Sequence, residues 1–550
     1  MNRDTPVSTP LGERLLLALC LAIAVAPLLS SAANALIWDD VYFWNLSDRP
    51  DLGELLCSTF WGGSEQLSQR LSDFWRPLTS IVLWISGGLF GDWGGGYHLV
   101  SALCSLFAAG SLLALLLRLL PGEDGRRAAP WLALLFLAHP LNAEMMLLVV
   151  NLADYLVLGF LLLQIRLLLP PSRERRGALA LAGTALCAAL ACAAKELGAL
   201  AAAAPLAAWA LSRDRGDDIP ARSLLGPLPW AASALPVIAV LAARQAVIAS
   251  AGGDPWSSGV SSFSWEVPLL AWGDALRSML LPLPRGAHVY VNAEQIAPWV
   301  LGAAAWCGLI ALVVWRAAGR RRPTTGVAGL LLALALLLPS LLAVDLSEGA
   351  WRLPTRYYAP PLAGLLIAIA PLASRRWQSG ARIAAPVAVV LLASLSWVRI
   401  SQGRDNVTFF AAEAGYHPES LFDLYNLAEF QCESRRFEQA RRTLKRIEAH
   451  PRAGSPQVRA LLLGSRAKLA LLADGDLERA TRLLEQSLRL EPSDLTHVLM
   501  LAEARARAGR PDQSAAILRR ALQAPWFADE RAETIRRHLR RYAADEDTER

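Results

Sequence analysis

Residues 383–399 read IAAPVAVVLLASLSWVR, and residues 400–414 continue as ISQGRDNVTFFAAEA. Up to Trp397 the chain is an unbroken apolar run of the length that crosses roughly 30 Å of hydrocarbon. Beyond Arg399 the apolar residues recur three and four apart, which is the spacing of soluble amphipathic helices. The fold is therefore read as two parts joined near Arg399: a membrane helix bundle before it and a soluble helical array after it. Composition agrees with that division. Of 550 residues, 54% are hydrophobic and only 19% charged, and the mean hydropathy is +0.33, which excludes a disordered chain and an ordinary soluble domain. The net charge of +6 would suggest nucleic acid in a soluble chain, but the arginines stand in short clusters between apolar runs, so the charge encodes topology. The seven cysteines show no paired spacing and lie mostly in apolar stretches, so neither a zinc site nor a disulfide framework is indicated.

Working back from residue 399, apolar runs near the spanning length of about 20 residues recur at 15–35, 98–120, 129–142, 145–168, 177–194, 197–212, 226–249, 298–316, 324–343 and 357–374. With 383–399 they make about eleven helices. The first is read as retained, and a cleaved signal peptide is the alternative. Arginine clusters at 126–127, 173–176, 213–222, 316–322 and 375–382 occupy alternate loops, and the cytoplasmic side keeps such charge. The opposite set of connections is then expected to face outward: the long segments 36–97 and 250–297, the corners at Asn142 and Lys195, the loop 344–356, and everything after Arg399.

The outward set carries the unusual residues. Asp39 and Asp40 directly follow the first helix; two adjacent carboxylates at a membrane boundary are costly unless solvated, paired or used, and one can serve as a general base. A solvated or capping acidic turn is the bland reading. Arg76 before Pro77 opens an interfacial helix, where a guanidinium can take a phosphate bidentately or merely anchor the interface. His139 and Glu144 mark a second corner, and Glu144, Asn151 and Asp154 are spaced to share one helical face; a substrate pocket and simple interhelical hydrogen bonding are both open. Lys195 and Glu196 form a third corner where the two can neutralise each other. Arg356 and Tyr357 precede the tenth helix. An amphipathic stretch from Trp265 to Leu280 reads as a helix lying on the bilayer surface, architectural rather than catalytic. After residue 400, three helical hairpins align on small residues and closing prolines, among them Ala428 with Ala440, Gly475 with Ala480, and Ala502 with Ser514. They read as degenerate tetratricopeptide-like repeats over 401–540, an α-solenoid, with 541–550 as a frayed tail.

Taken in order, the acidic pair, the Arg-Pro-Leu-Thr run (Arg76 to Thr79), the His-Leu-Val helix start (His98 to Val100), the His-Pro corner with Glu144, Ala153-Asp154, Lys195-Glu196, the Arg-Tyr-Tyr element (Arg356 to Tyr358) and the terminal repeats resemble the GT-C-type membrane glycosyltransferases. The resemblance is greatest to the transmembrane and tetratricopeptide repeat-containing, O-mannosyltransferase-like family and its bacterial relatives. Asn151-Leu152 and Thr355 depart from that family's pattern.

The resemblance implies an all-α polytopic domain over 1–400. It also implies an enzyme that moves a sugar from a polyprenyl phosphate monosaccharide to an acceptor hydroxyl, in the simplest case a protein Ser or Thr, on the extracytoplasmic face. Asp39 or Asp40 would be the base. Arg76, Lys195 and Arg356 would hold the donor phosphate, and His139, Glu144, Asp154, Glu196 and Tyr357 would shape the sugar and acceptor pocket. No metal or other obligatory cofactor is expected, and no nucleic acid. A bacterial inner membrane with a periplasmic site fits, or the lumenal side of the endoplasmic reticulum in a eukaryote. The rival reading is a non-catalytic scaffold recruiting envelope partners through its repeats. A transporter would want inverted repeats and broken mid-membrane helices, and the sequence displays neither.

Overall fold

The computed structural model describes residues 11–40, 51–57, 74–120, 122–169, 177–212, 221–250, 266–283, 285–291, isolated positions within 300–311, 325–342, 345–347, 350–375, 377–527 and 530–548. The membrane part contains α1 (Leu11–Ser30), α2 (Pro77–Phe90), α3 (Gly94–Leu119), α4 (Glu123–Ala138), α5 (Pro140–Leu147), α6 (Leu152–Leu168), α7 (Ala178–Ala194), α8 (Ala204–Ser212), α9 (Pro227–Ser250), α10 (Glu266–Leu280), α11 (Thr325–Leu342), α12 (Ala359–Arg375) and α13 (Arg382–Ser401). Among the described residues, six helical stretches are long and apolar enough to cross a membrane, and four shorter apolar helices accompany them. The chain is a multi-spanning membrane protein. The expected span at 298–316 falls almost wholly outside the described residues.

The bundle is sorted by exposure. On α13, Ile383, Val387, Leu391 and Val398 are exposed and suit lipid, while Val389, Ala393, Ser396 and Arg399 on the other face are buried. Helices α11 and α12 approach so closely that a Cβ built at Gly329 would lie 2.5 Å from the Ala368 nitrogen, and one at Gly364 would lie 2.5 Å from that of Ala333. Only glycine permits this crossing, in which van der Waals packing replaces the hydrophobic effect that lipid does not supply.

The helix expected to open at Pro77 within the segment 36–97 is α2. Two departures from the sequence reading bear on the site. The expected helix 145–168 is broken into α5, a 3-10 turn Val149–Asn151 and α6. The otherwise helical architecture also gains a small antiparallel sheet, ordered β1 (His288–Val291), β3 (Ala350–Pro354), β2 (Asp345–Ser347). In it His288 pairs with Pro354, and Asp345 with Arg352. Strands of three to five residues leave too short an alternation to stand out in sequence. Helix α10 buries Asp274, Ala275 and Ser278 and packs on α11.

The second compact unit begins at Asp405. It comprises α14 (Asn406–Tyr416), α15 (Leu421–Glu433), α16 (Phe437–Glu448), α17 (Pro456–Leu469), α18 (Leu477–Leu490), α19 (Leu495–Arg507), α20 (Pro511–Leu522) and α21 (Glu530–Thr548). The pairs α15–α16, α17–α18 and α19–α20 are three hairpins. Ala428, Ala440, Ala480, Ala502 and Ser514 are buried within them, so the small residues admit close helix approach. Ser420, Ser455, Asp476 and Asp494 accept hydrogen bonds from the first-turn amides of α15, α17, α18 and α19. Helix α21 continues to Thr548, and Tyr542 is buried and donates to Glu503 at 2.5 Å.

Candidate active site

The acid pair lies in a 3-10 turn, Trp38–Asp40, that follows α1. Its backbone is unusual: Trp38 adopts a left-handed φ of +46°, a conformation that costs a bulky residue energy and persists where the surroundings impose it. Those surroundings are identifiable. The side chain of Asn34 donates to the Ile400 carbonyl at 2.9 Å, and the Ala35 amide donates to the Arg404 carbonyl at 3.0 Å. The ring of Trp38 meets His288 edge-on, with centroids 5.1 Å apart.

Asp40 is fully buried, and its two carboxylate oxygens accept the amides of Val149 at 2.8 Å and Val150 at 3.0 Å. It therefore caps the short turn that opens α6, and it fastens the acid-bearing turn to the helix that carries Asp154. The side chain of Asp39 lies outside the described residues.

A second constellation gathers at the ends of α2, α7 and α12. Pro77 at the first position of α2 leaves Arg76 as its N-cap, and Arg76 forks onto Glu196, with 2.8 Å from Nη2 and 3.2 Å from Nε. Helix α7 ends at Ala194, Lys195 is extended, and a 3-10 segment starts at Glu196, so the two neighbours face different partners. Lys195 donates to both oxygens of Asp154 at 2.8 Å. The expectation that Lys195 and Glu196 neutralise each other gives way to two separate ion pairs. The hydroxyl of Thr79 donates to the Ala194 carbonyl at 2.8 Å and locks α2 to the end of α7. Tyr357 completes the group: its ring lies 4.9 Å from the Lys195 ammonium and 5.2 Å from the Arg356 guanidinium. Arg76, Lys195, Arg356, Asp154, Glu196 and Tyr357, six residues expected at the site, thus come together.

His139 and Glu144 stand elsewhere. Leu148 breaks the helix between Glu144 and Asp154, so the single polar face expected of Glu144, Asn151 and Asp154 does not form. Glu144 instead pairs with Arg399 at 2.5 and 3.0 Å, both side chains being buried. His139 caps α5, accepting the Leu141 amide at Nδ1, and its Nε2 lies 3.3 Å from the Met279 carbonyl, which places the proton on Nε2. These residues, with Ser278, Arg285, Thr355 and Arg399, line a cavity of about 20 Å³, room for roughly one water.

Arg399, Arg285 and His98 escaped the sequence reading as site elements. His98, buried at the start of α3, places its ring nitrogens 3.1 Å from the Ala35 carbonyl and 3.3 Å from that of Met146. Arg399 has a legible signal, a guanidinium at the end of an apolar helix, but its partner is 255 residues away. Among the described residues no group of three His, Cys, Asp or Glu side chains is placed to hold a metal ion.

Residues 471–525 match the tetratricopeptide repeat model. A structural neighbour is ArnT from Cupriavidus metallidurans, solved bound to undecaprenyl phosphate, at 17% identity and a TM-score of 0.39, the alignment covering 96% of this chain and 84% of that one. No curated protein sequence matches the chain.

Proposed function

We propose that the chain is a membrane glycosyltransferase of the GT-C type that moves a sugar from a polyprenyl phosphate monosaccharide to an acceptor hydroxyl on the extracytoplasmic face. The observation that carries this reading is the convergence of Arg76, Lys195 and Arg356 around Tyr357, close in the fold to a turn with two aspartates. The sheet makes that link: Trp38, beside Asp39, packs on His288, His288 pairs with Pro354, and Arg356 follows two residues later.

The reaction needs a base and an acceptor for negative charge. The acceptor oxygen attacks the anomeric carbon while the bond from that carbon to the phosphate oxygen breaks, and the phosphate leaves with the electron pair. The attacking hydroxyl gives its proton to a carboxylate. Asp40 is committed to the Val149 and Val150 amides, so Asp39 is the base and Asp40 fixes its turn. Arg76, Lys195 and Arg356 stabilise the charge that develops on the leaving phosphate, each such contact being worth about 10²- to 10³-fold in rate. Asp154 and Glu196 hold two of those cations in place, and His139 and Glu144 shape the neighbouring hollow.

The repeats supply an acceptor surface. A groove of about 900 Å³, lined by Leu488, Leu501, Ile517 and Trp526 among others and edged by Arg489 and Arg520, suits a polypeptide that presents Ser or Thr.

The test is incubation of the purified protein with a panel of polyprenyl phosphate sugars, reading loss of donor by mass spectrometry. Consumption of one donor that falls at least 100-fold in Asp39→Asn supports the reading. Consumption of none, or equal consumption by Asp39→Asn, overturns it. Retention of protein partners on the repeats by a chain that consumes no donor would establish a scaffold instead.

A further inference from the structure

The turn that carries Arg356 and Tyr357 is not self-supporting. It is a 3-10 turn, Thr355–Tyr358, between β3 and α12, and residues outside the phosphate cluster hold its start and border its end. At its start, the Thr355 amide donates to the Ala287 carbonyl at 2.9 Å and the Thr355 hydroxyl donates to the Gly286 carbonyl at 3.1 Å. Both carbonyls belong to the two residues after Arg285. Arg285 is itself pinned: its Nη1 lies 2.6 Å from Asp274 Oδ1 and donates to the Ser278 hydroxyl at 2.6 Å. Asp274 and Ser278 are one turn apart on α10, and both are buried. At the other end of the turn, Tyr358 is fully buried within the electrostatic reach of Asp274. Asp274 Oδ2 and the Tyr358 oxygen are both buried atoms without a hydrogen-bond partner among the described residues. Buried polar atoms of that kind are costly and call for a role.

We propose that Asp274 and Arg285 are positioning residues that set the Thr355–Tyr358 turn from both ends and so aim Arg356 and Tyr357 at a lipid phosphate. The pair touches no substrate. It works through the turn, with Arg285 holding the 286–287 carbonyls that seat Thr355 and Asp274 facing Tyr358. A guanidinium displaced by about 1 Å from a phosphate loses most of its directed hydrogen bonding, so a support this close has a measurable effect on affinity. The inference rests on the proposed function, since it assumes that Arg356 meets a phosphate.

The experiment measures binding of undecaprenyl phosphate to the full-length protein in detergent by native mass spectrometry, for the parent, Asp274→Asn, Arg356→Ala, the double variant and Asp274→Glu. The expected result is a roughly tenfold weaker Kd in Asp274→Asn, partial rescue by Asp274→Glu, and no further weakening when Asp274→Asn is added to Arg356→Ala. That last term separates a residue acting through Arg356 from a general loss of fold, which would add to it. Should Asp274→Asn yield no folded protein, Tyr358→Phe tests the same clamp, with an expected threefold to tenfold loss of affinity at an unchanged melting temperature. A parent that binds and weakens in Arg356→Ala, but is indifferent to both Asp274→Asn and Tyr358→Phe, overturns this inference alone. A parent that binds no undecaprenyl phosphate overturns the proposed function and this inference with it.

Discussion

Asp39 and Asp40 are adjacent and chemically identical, and the proposed function gives them different duties. Asp40 satisfies two buried backbone amides, at Val149 and Val150, and a buried donor stripped of its acceptor costs about 1–3 kcal/mol. Asp40→Ala is therefore expected to lower the melting temperature, and thermal unfolding in detergent measures it. Asp39→Asn should leave that temperature in place while abolishing donor consumption. A different residue offers a gain. Gly475 and Gly509 take left-handed φ values of +64° and +70°, each two residues before the second helix of its hairpin. The equivalent place in the first hairpin holds Arg435 at φ +58°, where a side chain costs roughly 1 kcal/mol or more. Arg435→Gly should raise the melting temperature of the repeats by a few degrees. The acids at 39–40, the cations and Tyr357 are legible in sequence because ionisable groups beside apolar helices are few. Their partners are not. Lys195 ignores its neighbour Glu196 for Asp154, 41 residues away, because the backbone between the two neighbours changes from extended to 3-10, and nothing local announces which carboxylate is opposite.

At the scale of elements, the hydropathy of the spanning helices is read directly from the chain, and α3, α7, α9, α12 and α13 lie where apolar runs place them. The break between α5 and α6 is hidden because Leu148, Val149 and Val150 are as apolar as the helices on either side; the interruption depends on a carboxylate supplied from residue 40. In the repeats, the same kind of distant pairing makes one element sensitive to acid. His497 on α19 is buried against Gly464 of α17, where an added Cβ would lie 1.8 Å from Nε2, and its Nδ1 lies 2.9 Å from the Ser487 hydroxyl. Burial lowers its pKa below the ordinary value of 6.5, against the opposing pull of Asp494. The neutral ring is thus the form the fold holds. The stability it contributes is complete above pH of about 6.5 and is lost as pH falls from there through the lowered native value, because the unfolded chain protonates first. Melting of the repeats between pH 7.5 and 5 should show this decline, and His497→Gln should flatten it.

At the scale of the whole molecule, two units with separate cores follow one another in the chain. The C-terminal unit has its own apolar clusters, one around Leu518, Phe527 and Ile535 and one around Ala480, Leu484 and Leu501. A fragment spanning residues 405–548 should accordingly give a helical circular dichroism spectrum and one cooperative thermal transition without lipid or detergent. An aggregated or non-cooperative fragment would show that these helices depend on the membrane part. Within that membrane part, α1 packs along α13, and the chain just after α1 is stapled to Ile400 and Arg404. During synthesis, the aspartate-bearing bend is made early, and the last of its fastenings is made late. Some 360 residues must leave the ribosome before Asn34 and Ala35 meet their carbonyls. A chain interrupted anywhere before α13 would insert its helices and hold the bend at Val149 and Val150 alone, without the two C-terminal fastenings.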